Sequence, residues 1–342
     1  MVRWGILGLG RAANSFANAI KEVNNAELVS TASLSKNKNS IFGKKFNISK
    51  DNQFKSYEEL IESKSIDAIY IATLNNTHAD LIIKTAKANK GILCEKPIAL
   101  NKDELKDIFN QLNKTKVLFL ENIAFRAHPQ TNEIVNQILN NEIGVIDRIE
   151  SSFGFKVNQI LKFKSGHRLF SKKLGGGAIN DIGCYPVSLA VLVARLFQDK
   201  NKEISYDILD ARSKKNFRGT DDESHLIISF HNLFKAELEV SVKKKLSKPT
   251  IIHGSKGKII IYNPWLPNKE SSIKLVSNHN NFIRNIQSKY TLYANTIKVA
   301  SDLIQQKKYQ CEFPKMTWDD SIICSKILSD WKEYFNEYNK HE

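Results

Sequence analysis

Along the first 120 residues, short apolar runs and helical repeats of apolar positions take turns. Residues 2–7 (Val-Arg-Trp-Gly-Ile-Leu) form a short apolar run, and Ala13, Phe16, Ala17, Ile20 and Val23 then recur on one helical face. A short apolar run bounded by turn residues reads as a buried strand, and recurrence at i, i+3 and i+4 reads as an amphipathic helix. The exchange continues with a strand over 27–34, a helix over 57–63, a strand over 66–72, a helix over 78–89, a strand over 92–94, a helix over 102–113 and a strand over 117–120. Such an order predicts a parallel sheet with helices on both faces and ligands beyond the carboxyl ends of its strands.

Beyond Glu121 the rhythm changes. A helix near 132–139 leads to a long strand over 145–157, a basic and aromatic loop over 162–173, and an apolar helix over 181–196 introduced by Gly175-Gly176-Gly177. Six β-like runs follow, at 207–212, 223–230, 235–242, 250–253, 257–262 and 272–276, and helices near 290–306 and 318–338 close the chain. Alternating apolar and polar positions in the β runs predict one mostly antiparallel sheet with a half-exposed face, a surface suited to a partner subunit.

The turn after the first strand is Gly8-Leu9-Gly10-Arg11-Ala12-Ala13. Gly8 permits the tight turn, Gly10 lets backbone approach a pyrophosphate, and Ala13 lets helix and strand pack closely, while the helix N-terminus attracts negative charge. This is a dinucleotide-binding turn in its expected flanks. The expected organisation is a Rossmann α/β domain over 1–123 and an α+β domain over 124–342, whose C-terminal helix can pack back on the first. After the second strand comes Ser33-Leu34-Ser35-Lys36, where an NAD-specific chain usually carries an acid for the ribose 2′-hydroxyl. Two hydroxyls and a lysine can instead receive a 2′-phosphate, which favours NADP over NAD; the alternative is an ordinary polar loop. Two further segments fall at strand ends: Thr73 to His78, including Asn75, and Glu95-Lys96-Pro97.

Composition narrows the picture. A chain of 342 residues can bury a large core and favours two domains. The balance of 51 Lys+Arg against 36 Asp+Glu gives +15, but Lys, Asn and Ile are abundant throughout, and the densest basic run, Lys243-Lys244-Lys245, has no interleaved aromatics. An anionic small molecule is a better inference than nucleic acid. No run approaches the roughly 18 apolar residues of a membrane span, and Met1-Val2-Arg3-Trp4 opens a strand without a signal peptide, so a cytoplasmic protein is expected. Cys94, Cys184, Cys311 and Cys324 are scattered, as reduced thiols are. His225 and His231 can share a strand face, but with no third ligand in view no metal is expected.

The ordered set Gly-Leu-Gly-Arg-Ala-Ala, Asn75-Asn76-Thr77-His78 and Glu95-Lys96-Pro97 resembles the Gfo/Idh/MocA oxidoreductase family. Phe125-Arg126-Ala127-His128-Pro129-Gln130 resembles its boundary segment, and the run from Gly175 to Pro186 its second active-site motif. The resemblance implies hydride transfer between a nicotinamide and a hydroxyl or keto carbon of a carbohydrate-like molecule, in a dimer or tetramer. It implies cofactor contacts from Gly8, Gly10, Arg11, Ala12, Ser33, Ser35, Lys36, Thr73, Asn75, His78, Glu95 and Lys96, and a cis Lys96-Pro97 bond. The positive charge suits a nucleotide-linked sugar as well as a free aldose.

When an alcohol and a ketone interconvert, the oxygen loses or gains a proton, which the protein must relay. Lys96 and Tyr185 are the expected pair: a phenol titrates near pH ~10, and an adjacent ammonium draws it down. Asp181, four residues before Tyr185, can share its helix face and orient Lys96 or a substrate hydroxyl; the alternative is a helix N-cap, and it can serve both roles. Tyr185 has a core-tyrosine alternative. Arg168 can contact a phosphate or sugar oxygen, or be one more basic loop residue; His78 can touch the cofactor or merely start a helix; His128 reads as structural. Two other activities stay open: a glycosidase that oxidises its sugar transiently, and a non-catalytic dinucleotide sensor, against which the presence of both Lys96 and Tyr185 argues.

Overall fold

The computed structural model describes residues 1–158, 160, 167–198, 203–277 and 281–338. The chain forms two compact units, one of Met1–Ala127 with Lys289–Trp318, the other of His128–Ser288 with the chain from Asp319 onward. Residues 289–318, which the sequence places in the second domain, are thus part of the first unit.

In the first unit six parallel strands lie in the order β3-β2-β1-β4-β5-β6: β1 Val2–Leu7, β2 Ala26–Ala32, β3 Gln53–Phe54, β4 Ala68–Ile71, β5 Gly91–Cys94 and β6 Phe119–Glu121. The order reverses at β1, whose neighbours are β2 and β4, and this reversal opens a crevice at the strand ends. Val2, Trp4, Ile6 and Leu7 are buried, so β1 is apolar on both faces. Helix α1 (Arg11–Ala19) turns Ala13, Phe16 and Ala17 inward. From far along the chain α8 (Leu292–Gln305) packs on α1 and β1, where Ser301 Oγ accepts from Trp4 Nε1 at 3.1 Å. Helices α3 (Tyr57–Glu62), α4 (His78–Lys87) and α5 (Lys102–Thr115) fall where the periodicity predicts. Helix α2 (Lys36–Phe46) and strand β3 do not figure in the sequence reading. The helix is nearly all polar and buries only Asn39, Phe42 and Gly43, too few to show a stripe.

The second unit carries an eight-stranded sheet in the order β14-β13-β12-β11-β7-β10-β9-β8. Its strands are β7 Ile146–Gly154, β8 Tyr206–Lys215, β9 Asp221–Phe230, β10 Phe234–Ser241, β11 Thr250–Gly254, β12 Gly257–Ile261, β13 Glu270–Ser277 and β14 Asn281–Gln287. Only the β10–β7 pairing is parallel. Strand β14 is also absent from the sequence reading, because Ile286 is its only buried residue and no alternation shows. Helix α6 (Pro129–Leu139) and helix α7 (Cys184–Phe197) cover the inner face, and α9 (Trp318–Tyr338) ends the described chain. The helical stretch 172–197 is, by length and composition, long and apolar enough to cross a membrane, contrary to the sequence expectation. Its most apolar 18-residue window is 94% buried inside the fold, so its apolarity serves a core. Of the expected loop 162–173, residues 162–166 lie outside the described chain.

Candidate active site

At the carboxyl end of β1, Gly8 takes φ +84°, and a Cβ there would lie 2.8 Å from the Ala72 carbonyl oxygen, so only glycine fits this approach of β1 to β4. Gly10 caps α1 without a side-chain partner, the first turn holds no acid, and a Cβ on Gly10 would meet nothing within 4 Å. The first N–H groups of the helix, including those of Arg11 and Ala12, have no intrahelical acceptor, and the open space at Gly10 leaves room for a pyrophosphate. Thr73 lies beyond β4, its Oγ1 accepting from Thr77 Oγ1 at 2.7 Å, and Asn75 opens the short 3-10 turn that precedes α4.

The turn after β5 is held from three sides. Lys96-Pro97 is cis, and Lys96 is half-buried. Glu95 Oε1 accepts from Tyr70 Oη at 2.5 Å, Asn122 Nδ2 at 2.6 Å and Tyr293 Oη at 3.2 Å. Burial, then the Glu95 charge, pushes the Tyr70 phenol well above its usual range, so it remains a donor. The Tyr70 ring stacks on Phe16 with centroids 4.2 Å apart. His78 is fully buried, with Nδ1 2.8 Å from the Pro97 carbonyl oxygen and Nε2 3.4 Å from that of Thr73. Both ring nitrogens face the backbone, so the imidazole serves the two loops it joins. Burial lowers its pKa against the raising influence of those carbonyls and Glu95.

Beyond β2, Ser33 Oγ accepts from the Ser35 N–H at 3.2 Å and Ser35 Oγ caps α2 through the Lys38 N–H at 3.4 Å. Lys36 opens α2 and is exposed.

In the second unit the glycine triplet seats the helix that carries the remaining candidates. Gly175 and Gly177 take φ +71° and +109°, and a Cβ on Gly176 would lie 2.5 Å from the Arg168 carbonyl oxygen. Asp221 Oδ2 accepts from the Ile179 N–H at 2.8 Å and from Ser224 Oγ at 3.0 Å, which ties the helix start to β9. Burial raises the Asp221 pKa in spite of those donors. Asp181 does not begin the helix; it lies within a π turn, Ile179–Gly183, and the cap of α7 is Gly183. Its Oδ1 pairs with Arg168 Nη1 at 2.7 Å, so Arg168 is engaged with a carboxylate of its own unit. The ring of Tyr185 meets Phe153 edge-on at 5.1 Å and Trp265 at 6.1 Å, and Trp265 Nε1 donates to the Ser152 carbonyl at 2.9 Å. His128 is buried between the Asn268 carbonyl and the Gln130 N–H, a structural role.

Tyr70, Asn122 and Tyr293 around Glu95, and Phe153, Trp265 and Asp221 around the second helix, carry no motif in the sequence. The repeated acid Asp221-Asp222 at a strand start was the one local sign.

Residues 2–123 match the oxidoreductase family with an NAD-binding Rossmann fold, and residues 132–260 match the GFO/IDH/MocA C-terminal domain. The chain is 30% identical over 270 residues to trans-1,2-dihydrobenzene-1,2-diol dehydrogenase of Xenopus laevis, covering 78% of this chain and 77% of that one. This chain belongs to the Gfo/Idh/MocA family. The family member is also 28% identical over 295 residues to D-xylose 1-dehydrogenase (NADP(+)) of Hypocrea jecorina, covering 80% and 75% of the two chains. Its fold superposes on aldose-aldose oxidoreductase of Caulobacter crescentus with a TM-score of 0.85 at 18% identity, over 98% of each chain. As a Gfo/Idh/MocA protein it is an NAD(P)-dependent oxidoreductase, and the open glycine turn of β1 and α1 fits that cofactor.

Proposed function

We propose that this oxidoreductase interconverts a secondary alcohol and a ketone, or a lactol and a lactone, on a polyhydroxylated ring: a sugar, a sugar derivative or a cyclic diol. The dihydrodiol and xylose dehydrogenases among its relatives support that substrate class. When bound, the nicotinamide supplies the hydride donor or acceptor. Tyr185 gives or takes the hydroxyl proton, Lys96 is the cation of that relay, and Asp181, oriented by Arg168, accepts from a neighbouring substrate hydroxyl. The observation that carries the reading is the anchoring of the Glu95-Lys96-Pro97 turn by Tyr70, Asn122, Tyr293 and His78, which presents an ammonium at the carboxyl end of a parallel sheet. Phe153 and Trp265 beside Tyr185 offer an apolar wall to the C–H face of a ring substrate. NADP is the preferred cofactor. Among the described residues the four buried cysteines form no disulfide, which suits the cytoplasm, and the half-exposed face of the eight-stranded sheet suits a homodimer or homotetramer.

The test is nicotinamide absorbance with a panel of aldoses and cyclic trans-diols. Stoichiometric change with substrate consumed supports the oxidoreductase reading. Consumption of a glycoside with no net absorbance change would replace it with transient oxidation.

A further inference from the structure

We propose that Lys50 and Lys55, in the lining of a cleft beyond β2, bind the 2′-phosphomonoester of NADP and make this chain prefer it to NAD. This rests on the dinucleotide-binding reading and assigns its selectivity to residues outside the Ser33–Lys36 segment. The cleft has a volume of about 490 Å³, and its lining includes Ser33, Lys36, Lys50, Gln53 and Lys55. Three of its lining residues are lysines and none is acidic. Among the described residues, no carboxylate lies within ion-pair distance of the ammonium of Lys36, Lys50 or Lys55. The nearest acid by bonding is Glu59, whose Oε2 accepts from the backbone N–H of Lys55 at 3.1 Å.

The serines cannot carry the discrimination by themselves. Each already accepts a backbone N–H in the turn that starts α2, so each has only its hydroxyl proton to offer. A neutral hydroxyl serves a ribose hydroxyl and a phosphate alike, whereas an ammonium favours the dianion. The segment that carries these lysines is also fixed in place. Asn39, 4% exposed, accepts from Thr31 Oγ1 at 2.7 Å and donates to the Phe54 carbonyl at 2.6 Å, tying β2, α2 and β3 together. Gln53 Nε2 donates to the Ile48 carbonyl at 2.8 Å, closing the loop that carries Lys50. The two lysines thus stand on a pinned segment of the cleft that Lys36 also lines, and a group bound in it meets positive charge from all three.

The test compares adenosine 2′,5′-bisphosphate with adenosine 5′-monophosphate by isothermal titration calorimetry, on wild type, Lys50→Ala/Lys55→Ala and the control Lys44→Ala. Wild type is expected to favour the bisphosphate by at least roughly tenfold, the scale of one charge-assisted contact. The double variant should bring that ratio near unity without changing monophosphate affinity, and the control should keep it. If the double variant folds poorly, Lys50→Gln/Lys55→Gln replaces it. A wild-type ratio near one, or an unchanged ratio in the double variant, overturns the inference while NADH and NADPH still bind. Failure of both dinucleotides to bind would instead overturn the cofactor reading beneath it.

Discussion

His78 and Pro97 are joined through Nδ1 and the carbonyl oxygen at 2.8 Å, and that contact ties the loop after β4 to the turn that carries Lys96. Both ring nitrogens face carbonyl acceptors, and a neutral imidazole has only one N–H. The shorter contact selects the Nδ1–H tautomer, leaving Nε2 opposite Thr73 at 3.4 Å. His78→Asn keeps a donor where Nδ1 stood, whereas His78→Leu removes it. Turnover is therefore expected to fall by roughly tenfold more in the leucine variant than in the asparagine variant, with NADPH affinity similar in both. Equal turnover in the two would show that the contact does not position the turn.

The same imidazole sets a pH dependence. Burial holds the folded pKa below its ordinary value of 6.5, so the unfolded chain takes up the proton first. The contribution of His78 to stability is then fully present above the unfolded value and is lost as pH falls through it towards the folded one. Between about pH 7.5 and about pH 5, the melting temperature of wild type should drop more steeply than that of His78→Asn. His128 and His253 are also shifted down by burial, but they are common to both proteins and cancel in the comparison. Parallel melting curves would refute the assignment.

Tyr70→Phe removes one of three donors to Glu95 and keeps the stack on Phe16. The expected loss of stability is about 1.5–3 kcal/mol, as for a hydrogen bond to a charged group. Urea unfolding measures it, and a loss below a few tenths would mean that Asn122 and Tyr293 hold Glu95 without it.

Much of this frame was legible locally. Gly8 and Gly10 answer to backbone geometry, and Glu95-Lys96-Pro97 sits where an apolar strand stops, so a few adjacent residues reveal each. The partners of Glu95 were not legible, since Tyr293 lies 198 residues away and reaches it only because α8 returns to the first unit. The cleft lysines escaped for a related reason: α2 and β3, which bring Lys50 and Lys55 into one cleft with Lys36, are short on apolar residues and leave no periodic trace. Asp181 was found, but its π turn was not, because side-chain spacing alone does not distinguish it from an α turn.

Tyr185→Phe keeps the packing against Phe153 and Trp265 and removes only the hydroxyl. General acid–base groups contribute about 10²–10⁴-fold, so turnover should fall by that order. NADPH affinity should be unchanged in a fluorescence titration. Retained turnover would remove Tyr185 from the proton relay.

Gly177 and Asp221 couple the glycine loop to β9. At φ +109° an alanine is strained by about 1–3 kcal/mol, and its Cβ would stand 2.0 Å from Asp221 Oδ1, adding about 1–3 kcal/mol of overpacking. Gly177→Ala should therefore lose about 2–6 kcal/mol in chemical denaturation and shift the start of the helix bearing Asp181 and Tyr185. Asp221→Ser shortens the obstructing side chain and gives up the carboxylate bond to the Ile179 N–H. Because Asp221→Ser relieves the clash but not the backbone strain, Gly177→Ala/Asp221→Ser should be more stable than the sum of the single losses predicts, by at least about 1 kcal/mol. Strict additivity would mean that the loop moves away from Asp221 when Gly177 is replaced, and that the carboxylate does not set its position.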